Sequence, residues 1–321
     1  MSDTLHKFLF DAGASKKPPV RGEIVSLTAT WRQIQERHDY PEPVLRLLGE
    51  LVAASTLLSA NLKFNGALVM QIHGDGPVRL LVVECNADLT VRGTVKLAPA
   101  ATIDDDADFT ALVNAQGNGR FVITLAPGDQ QSGQPAYQGI VPLEGDSIAA
   151  ALEGYMRRSE QLDTQLWLAA DGEHANGLLL QKLPTQGGRS EVPETDGDEV
   201  SARAAEVWER ATTFANTLQR NELLGVDPAT LMRRLFWEET LAVFDPLPCA
   251  FRCSCSRERV AAMLVSLGRR EVDETVVDVG RIHVNCEFCN KSYDFDTVDC
   301  AQLFAASNSI ERVRPAARRR H

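Results

Sequence analysis

The sequence predicts an α+β protein with a mixed strand and helix core domain, a helical linker region and a small C-terminal four-cysteine zinc domain. Three observations predict this class. The first part of the chain alternates strand-like and helix-like hydrophobic patterns. An acidic stretch poor in apolar residues follows it, and six of the seven cysteines lie between positions 249 and 300. We therefore expect a core domain at 1–185, a linker at 186–248, a zinc-binding domain at 249–305 and a basic tail at 306–321.

The composition of the 321 residues is ordinary for a globular protein, with 44% hydrophobic and 24% charged residues. The net charge of −11 argues against nucleic acid and anionic membranes as partners, because phosphate recognition requires a positive surface. No basic, apolar signal segment follows Met1. Arg46 and Glu50 interrupt the most apolar stretch, residues 45–62, which argues against a membrane span. We expect a cytoplasmic protein.

The core domain is predicted to contain short strands around two strong helices. Alternating apolar and polar residues predict strands at 24–31, 67–72, 78–85, 90–97, 121–125, 137–143, 164–169 and 177–181. After Pro41 and Pro43, apolar residues recur at helical spacing up to Leu62, which predicts a helix with one apolar face. A second helix is predicted to have Asp146 as its N-cap and an apolar face of Ile148, Leu152, Tyr155 and Met156.

The linker begins with a segment that has little apolar surface to bury. Residues 186–200 include the acidic run 191–199, and we expect this segment to be solvated. Two amphipathic helices are then predicted, with apolar stripes formed by Val207, Ala211, Phe214, Ala215 and Leu218 and by Leu231, Leu235 and Phe236. Isolated helices of this length are only marginally stable in water, so their order must come from docking onto another surface.

The four cysteines of the last domain form two close pairs, Cys253 with Cys255 and Cys286 with Cys289, separated by thirty residues. The second pair is expected in a turn between strands at 281–285 and 291–296. Four thiolates complete a tetrahedral shell around Zn²⁺ and leave no position open for water. The spacing therefore predicts one structural Zn²⁺ per chain on these four residues, and it argues against catalysis by a Lewis-acid zinc.

Other interpretations of the cysteines remain open. The four could be unligated core residues, or Cys286 and Cys289 could form a thioredoxin-like redox pair, although no βαβ pattern flanks them. His283 could replace one sulfur as a ligand, but four thiols are already at hand. The surplus thiols are Cys249 and Cys300, which could join further disulfides or be bystanders, and Cys85, which is expected to be buried and inert.

A zinc site of this kind can also act as a redox switch. Zinc-bound sulfurs are thiolates, which are the form of cysteine that reacts with oxidants. Disulfide formation removes the anionic ligands, so the metal leaves. A structural zinc supplies on the order of 10 kcal/mol of folding free energy, whereas a unit of about sixty residues gains only a few kcal/mol from its own core. Oxidation is therefore expected to unfold this unit and to loosen any linker helix docked through it.

The sequence resembles the redox-regulated holdase chaperones of bacteria, the thirty-three-kilodalton heat-shock protein family, over nearly its whole length. The most specific resemblance is at the end of the chain, in Cys253-Ser254-Cys255-Ser256-Arg257-Glu258-Arg259 and Cys286-Glu287-Phe288-Cys289-Asn290. Further matching segments are Arg37-His38-Asp39-Tyr40-Pro41, Leu47-Leu48-Gly49-Glu50-Leu51, Gly74-Asp75-Gly76-Pro77-Val78, Tyr137-Gln138-Gly139-Ile140-Val141, Ser159-Glu160-Gln161-Leu162 and Arg234-Leu235-Phe236.

The resemblance implies a molecular chaperone without enzymatic activity or ATP use, inactive when it is reduced and zinc-bound. It implies that oxidation forms the disulfides Cys253–Cys255 and Cys286–Cys289, that zinc is released, and that a metastable linker unfolds. The core would then hold unfolding client proteins, commonly as a homodimer. This chain departs from the family in its long acidic linker entry, its arginine-rich end and its extra Cys249 and Cys300. These departures leave the four ligand positions intact but add two thiols that could join the disulfide pattern.

Two other classes of function compete with the chaperone. A zinc-ribbon module that binds protein or nucleic acid would share the four cysteines, but no basic and aromatic patch accompanies them. An enzyme in the core domain is the other candidate. Gly117-Asn118-Gly119 lacks the lysine of a phosphate-binding loop and indicates a hairpin turn instead, and no nucleophile motif accompanies His38-Asp39.

Overall fold

A computed structural model of the chain describes residues 3–10, 19–62, 65–128, 137–184 and 194–313. Contacts divide the chain into two compact units, residues 1–252 and residues 253–321. The linker helices belong to the first unit, and the four predicted zinc ligands belong to the second. The predicted α+β class is confirmed. Among the described residues, no helix is both long and apolar enough to cross a membrane.

Two six-stranded sheets form the frame of the first unit. Sheet A has the order β10-β1-β2-β9-β8, with β11 also paired to β1, and sheet B has the order β12-β5-β4-β3-β6-β7. The strands of sheet A are β1 (Thr4–Phe10), β2 (Val20–Leu27), β8 (Thr164–Ala170), β9 (Ala175–Lys182), β10 (Leu241–Val243) and β11 (Leu247–Pro248). Those of sheet B are β3 (Gly66–His73), β4 (Val78–Asn86), β5 (Thr90–Leu97), β6 (Arg120–Pro127), β7 (Tyr137–Pro142) and β12 (Ala250–Phe251).

The largest apolar core contains the long helix α2 (Glu42–Ser59), which contacts strands of both sheets. Its first turn contains Pro43, which is tolerated there because the first N–H groups of a helix have no intrahelical acceptor. Leu48, Leu51 and Leu57 are fully buried in this core. The remaining helices before the linker are α1 (Ala29–Gln35), α3 (Phe109–Val113) and α4 (Ile148–Ser159).

The linker helices cover the other face of sheet A. They are α5 (Glu194–Ala215), α6 (Arg220–Gly225) and α7 (Pro228–Leu235). Ile24 and Leu178 point into a second apolar cluster with these helices, whereas their neighbours Val25 and Leu179 point into the first. This alternation follows from the two-residue period of a strand. The predicted docking of the linker helices therefore takes place on sheet A.

Aromatic packing and one buried amide fix this contact. Phe236, which follows α7, packs against Phe8 and Phe10 with ring centroids 5.6 and 5.1 Å away. The buried Asn176 of β9 donates to the Leu223 carbonyl at 2.9 Å and accepts from the Leu27 N–H at 3.1 Å. A buried amide with both functions paired ties α6 to the sheet, because either backbone group would be costly to leave unpaired.

The second unit consists of α8 (Arg257–Leu267), α9 (Arg269–Val279), the hairpin of β13 (Arg281–Asn285) and β14 (Ser292–Asp296), and α10 (Thr297–Val313). The break between α8 and α9 falls at Gly268, whose φ of 98° is unfavourable for other residues. The apolar core of the second unit is small and consists of Leu264, Val272, Val276, Tyr293, Phe295, Cys300 and Phe304.

Several boundaries differ from the predictions. Strand β1 was not predicted, and the strand predicted at 24–31 ends at Leu27 because α1 begins at Ala29. The N-cap of α4 is Ser147 rather than Asp146. The predicted acidic linker entry lies outside the described residues up to 193, and α5 already begins at Glu194. Helix α10 extends to Val313, into the predicted tail, whose residues 314–321 lie outside the described part.

The predicted hairpin turn at 117–119 connects a helix to a strand instead. It lies between α3 and β6, and Gly117 has a φ of 75°. The Asp75 carboxylate accepts from the backbone N–H groups of Gln116 and Asn118 at 3.2 and 2.7 Å. These bonds lower the pKa of Asp75, because they stabilise its charged form. The turn is therefore a structural feature held by Asp75.

Candidate metal centre

The four cysteines of the second unit meet at one point. The sulfur atoms of Cys253, Cys255, Cys286 and Cys289 all lie within 4.8 Å of one another. The sulfurs of Cys255 and Cys289 are 3.3 Å apart, and those of Cys253 and Cys286 are 3.7 Å apart. Four sulfurs placed about 2.3 Å from a tetrahedral Zn²⁺ are about 3.8 Å apart. The sulfur positions therefore match a closed four-thiolate shell, and these residues could hold a metal ion.

The Cys286–Cys289 half of the site is a tight turn of the β13–β14 hairpin. The Cys286 N–H donates to the Lys291 carbonyl at 2.9 Å, and the Asn290 N–H donates to the Cys286 carbonyl at 2.8 Å. Asn290 has a φ of 56°, a left-handed conformation that asparagine adopts more readily than most residues. The sequence Cys-Glu-Phe-Cys-Asn therefore folds both sulfurs to the same side of the turn.

The Cys253–Cys255 half precedes helix α8 and is tied to strand β14. Ser256 caps α8, with its side chain accepting from the Arg259 N–H at 3.3 Å. Arg259 donates to the Ser254 hydroxyl at 2.6 Å. Arg257 lies over the Phe295 ring at 4.2 Å and donates to the Asp294 carbonyl at 2.7 Å. These contacts position the first pair against the hairpin that carries the second.

A tyrosine contacts the site from the hairpin. Tyr293 is buried in the small core, and its hydroxyl donates to the Cys255 sulfur at 3.1 Å. Hydrogen bonds to ligand atoms orient them and adjust their electron density, so this contact is part of the site. Sequence reasoning did not identify Tyr293. Its position on β14, three residues before Asp296, carries no motif, and only the fold brings it to Cys255.

The donor set fits a cation by its charge as well as its geometry. Burial raises the pKa of Cys286, and it raises the pKa of Cys289 to about 12, because a thiolate is poorly solvated there. Four thiolates at this separation also repel one another. A bound divalent cation inverts both effects and holds the thiols deprotonated. The site is therefore suited to a soft divalent metal such as Zn²⁺.

The other candidate ligands lie elsewhere. Cys85 and Cys249 are buried in the first unit, and burial raises the pKa of each to about 12. Cys300 is buried in the small core, and burial raises its pKa too. His283 pairs with Asp294 through Nδ1 at 2.8 Å and is not part of the sulfur cluster. The three remaining thiols and His283 therefore lie outside the four-sulfur cluster.

Comparisons with known proteins identify the family of the chain. The family model described as Hsp33 protein matches residues 3–296. The chain is 46% identical to the 33 kDa chaperonin of Methylobacillus flagellatus over 95% of each chain, and 44% identical to that of Chromobacterium violaceum over 94% of each. The crystal structure of the 33 kDa chaperonin of Thermotoga maritima has the same fold, with a TM-score of 0.73 at 21% identity over 95% of this chain and 99% of that one.

The family model covers both units, including all four clustered cysteines. The relatives extend over nearly the whole chain at more than 40% identity, so the similarity is not confined to one motif. The chain belongs to the Hsp33 protein family.

Proposed function

We propose that this protein is a redox-regulated, ATP-independent chaperone that holds unfolding proteins and prevents their aggregation. It is inactive when reduced and zinc-bound, and oxidation activates it. The observation that carries the proposal is the cluster of four sulfurs within 4.8 Å in a unit with a small apolar core. Its relatives are named chaperonins, which supports the chaperone role and argues against an enzyme.

In the reduced state, Cys253, Cys255, Cys286 and Cys289 are the ligands of one Zn²⁺. The metal supplies charge compensation for four thiolates and a tie between the two cysteine pairs. The protein contributes the tight turn at Asn290, the cap at Ser256 and the hydrogen bond from Tyr293, which hold the sulfurs in place. Because sulfur atoms occupy all four coordination positions, the metal site is structural.

Oxidation converts the four thiolates into two disulfides, Cys253–Cys255 and Cys286–Cys289. For each disulfide, two thiolates, one hydrogen peroxide and two protons give one S–S bond and two molecules of water. The two electrons leave the sulfurs and reduce the peroxide O–O bond. Disulfide sulfurs are neutral and poor ligands, so the site no longer retains Zn²⁺ and residues 253–321 lose the free energy of metal binding.

The linker then unfolds and exposes the face of sheet A that α5, α6 and α7 cover. This face is strongly apolar and includes Phe8, Phe10, Ile24 and Leu178. A contiguous apolar surface that is exposed to solvent is typical of protein interaction sites, so this face is suited to binding unfolded clients. Chain continuity supports the coupling, since only residues 249–252 lie between the linker and Cys253. We further propose a cytoplasmic homodimer as the active form, without nucleic-acid or membrane partners.

One experiment tests the proposal. Zinc content and suppression of the aggregation of a thermally unfolding client are measured on one sample, first reduced and then after peroxide with mild heat. We expect one zinc per chain in the reduced protein and its loss as suppression appears, without added ATP. Zinc that stays bound while no suppression appears in either state would contradict the switch. That outcome would favour the alternative, a zinc-ribbon module that binds protein or nucleic acid.

A further inference from the structure

Strand β7 is an edge of sheet B, and its outer side pairs with no strand in the described part of the chain. Its inner side pairs with β6, with Val141 opposite Phe121 and Gly139 opposite Ile123. The Leu143 N–H donates to the Gly119 carbonyl, which fixes the phase of the hydrogen-bond ladder. Residues 137, 139 and 141 therefore bond to β6, and residues 138, 140 and 142 direct their backbone groups outward.

The outward row has the chemistry of a recognition edge. No hydrogen bond among the described residues uses these outward groups, which are the N–H groups of Gln138 and Ile140 and the carbonyls of Gln138, Ile140 and Pro142. Pro142 occupies an outward position, where no N–H is needed by β6. The strand has no charged residue, and Tyr137 and Ile140 are 50% and 58% exposed. Natural proteins usually protect such edges with charges, bulges or a covering segment.

The other free edges of the two sheets are short or capped. At the edge of sheet A, the outward N–H of Leu166 on β8 donates to the Glu153 carboxylate at 2.8 Å. At the far edge of sheet B, β12 has only two residues, and beyond it on β5 the Tyr40 hydroxyl bonds to the N–H and carbonyl of Val95 at 3.0 and 2.9 Å. Strand β10, at the other edge of sheet A, has three. The six-residue edge of β7 is therefore the longest of these edges without a cap among the described residues.

An apolar cavity adjoins β7 on the sheet face that carries Tyr137. Its volume is about 210 Å³, and it is lined by Leu58, Leu62, Met70, Ile123 and Tyr137 among others. The half-exposed Tyr137 belongs to the edge strand itself, so the cavity borders the surface there. An apolar cavity of about 150 Å³ can accommodate benzene. The volume is therefore sufficient for one leucine or phenylalanine side chain.

We propose that the β7 edge binds an extended, apolar segment of an unfolded polypeptide by strand addition. The backbone row supplies the hydrogen bonds, and the cavity receives one apolar side chain of the added segment. The inference rests on the proposed chaperone function, because it names the surface and the chemistry of one client contact. A second copy of β7 would present only Tyr137, Gly139 and Val141 on this face, which fits the cavity less well than leucine or phenylalanine.

The test measures binding of a labelled peptide of alternating leucine and threonine by fluorescence anisotropy, on the full chain in reduced and oxidised forms. A second peptide carries N-methyl groups on alternate residues, which removes the donors that an edge strand needs. Gln138→Pro removes an outward N–H of β7, and the matched control Gln138→Ala keeps it. We expect about tenfold weaker binding for the methylated peptide and for Gln138→Pro, and an unchanged affinity for Gln138→Ala.

A second pair of variants tests whether the peptide binds at the edge of sheet B or on its face. Ile140→Lys places a charge on β7, whereas Thr124→Lys places one on the neighbouring interior strand β6, which has no free edge. We expect only Ile140→Lys to weaken binding. If Gln138→Pro fails to fold, as judged by its circular dichroism, Ile140→Lys and the methylated peptide decide the outcome.

The proposal would be overturned if the methylated peptide bound as tightly as its parent, or if Ile140→Lys matched Thr124→Lys. It would also be overturned if Ile140→Lys dissociated a dimer in sedimentation but left peptide affinity unchanged, since β7 would then be a contact between copies. Failure of the chaperone proposal looks different. In that case the wild-type oxidised chain would not suppress aggregation, whatever the peptide affinities of the variants.

Discussion

At the scale of single residues, the cysteines differ in what surrounds them rather than in their chemistry. Cys286 combines a side chain in the sulfur cluster with a backbone that holds the hairpin turn, through bonds to Lys291 and Asn290. Cys300 lies in the small core of the same unit and outside the cluster. The two residues therefore form a matched pair for testing the ligand assignment.

Cys286→Ser is expected to lower the zinc content of the reduced protein well below one per chain and to lower the melting temperature of residues 253–321. The substitution preserves the backbone turn but replaces a soft thiolate with a hydroxyl, which is a poor zinc ligand. Cys300→Ser is the control and should retain zinc. Zinc content can be measured with a chromogenic chelator after release. An unchanged stoichiometry in Cys286→Ser would contradict its role as a ligand.

Tyr293→Phe is expected to weaken zinc binding by about tenfold while the fold is retained, because it removes only the hydroxyl that donates to Cys255. Competition with a chelator of known affinity measures the change. Ser292→Ala, which removes a hydrogen bond to Asn285 on the same hairpin, is the matched control and should leave the affinity unchanged. Equal affinities for Tyr293→Phe and the wild type would limit Tyr293 to a packing role.

The pairing of the oxidised cysteines is a separate prediction, because in the structure sulfurs also lie close together across the two pairs, at 3.3 and 3.7 Å. In a tetrahedral shell all six separations are similar, so distance alone does not select the partners. We expect Cys253–Cys255 and Cys286–Cys289. Trypsin cleaves after Arg252, Arg257, Arg281 and Lys291. Mass spectrometry should therefore find peptides 253–257 and 282–291 separate, each lacking two hydrogens. A single cross-linked species would show the other pairing.

At the scale of secondary-structure elements, the buried stripe of α5 is the part of this helix that packs against sheet A. Val207, Ala211 and Ala215 are buried in the contact, whereas Phe214 is only partly buried and Thr213 is exposed. The predicted apolar stripe of α5 is thus confirmed. The structure adds that Val207, Ala211 and Ala215 are its buried members.

Ala211→Asp is expected to undock α5 and to give aggregation suppression under reducing conditions. A carboxylate buried without a partner costs several kcal/mol, which exceeds what the docking of one helix can offset. Thr213→Asp adds the same charge to the exposed side of α5 and should leave the reduced protein inactive. Light scattering by an unfolding client measures suppression. A reduced Ala211→Asp protein that is still inactive would exclude α5 as the cover of the client surface.

The start of α1 shows why some elements could not be predicted from local sequence. Residues 28–31 continue the alternating pattern of β2, which favours a strand. In the structure, the Asp3 carboxylate accepts from the N–H groups of Thr28 and Ala29 at 2.8 and 3.1 Å and thereby begins a helix. Asp3 is twenty-five residues away on the chain, so no local window contains the signal. The prediction was wrong for a long-range reason.

At the scale of the whole molecule, the cysteine cluster was predictable because its evidence is local and chemical. Two tight pairs of soft ligands suffice to predict a metal site, and the fold brings all four sulfurs together. The hydrogen bond from Tyr293 and the docking of Phe236 on Phe8 depend on tertiary packing. Neither has a periodicity or spacing that a single sequence reveals. The free edge of β7 also emerges only from the order of the strands.

The first unit is expected to become less stable as the pH rises towards 8. Burial raises the pKa of Glu50 to about 7, although Arg220, at 3.7 Å, and Arg46 oppose this shift. Because the folded pKa is above the unfolded value, this contribution to stability is fully present below about pH 4.5 and is lost as the pH rises through about 7. Glu23 has a pKa raised to about 7 by burial and contributes with the same sign.

Glu50→Gln isolates this effect, because Glu23 stays in place. Denaturant unfolding followed by tryptophan fluorescence at about pH 5.5 and pH 8 should give a decrease in unfolding free energy that is about 2 kcal/mol smaller in Glu50→Gln than in the wild type. The same pH dependence in both proteins would show that Glu50 titrates as it does in the unfolded chain.

The spacing of the cysteine pairs has a consequence for the freedom of the chain. An ion held by all four sulfurs connects two segments separated by thirty residues, whereas the proposed disulfides close rings within three and four residues. The entropy lost on closing a loop is recovered by the chain when the long connection is broken. Oxidation within pairs would therefore add two covalent bonds and yet leave the polypeptide with fewer long-range constraints. Oxidation across pairs would keep the segments joined, so the release depends on which sulfur reacts with which.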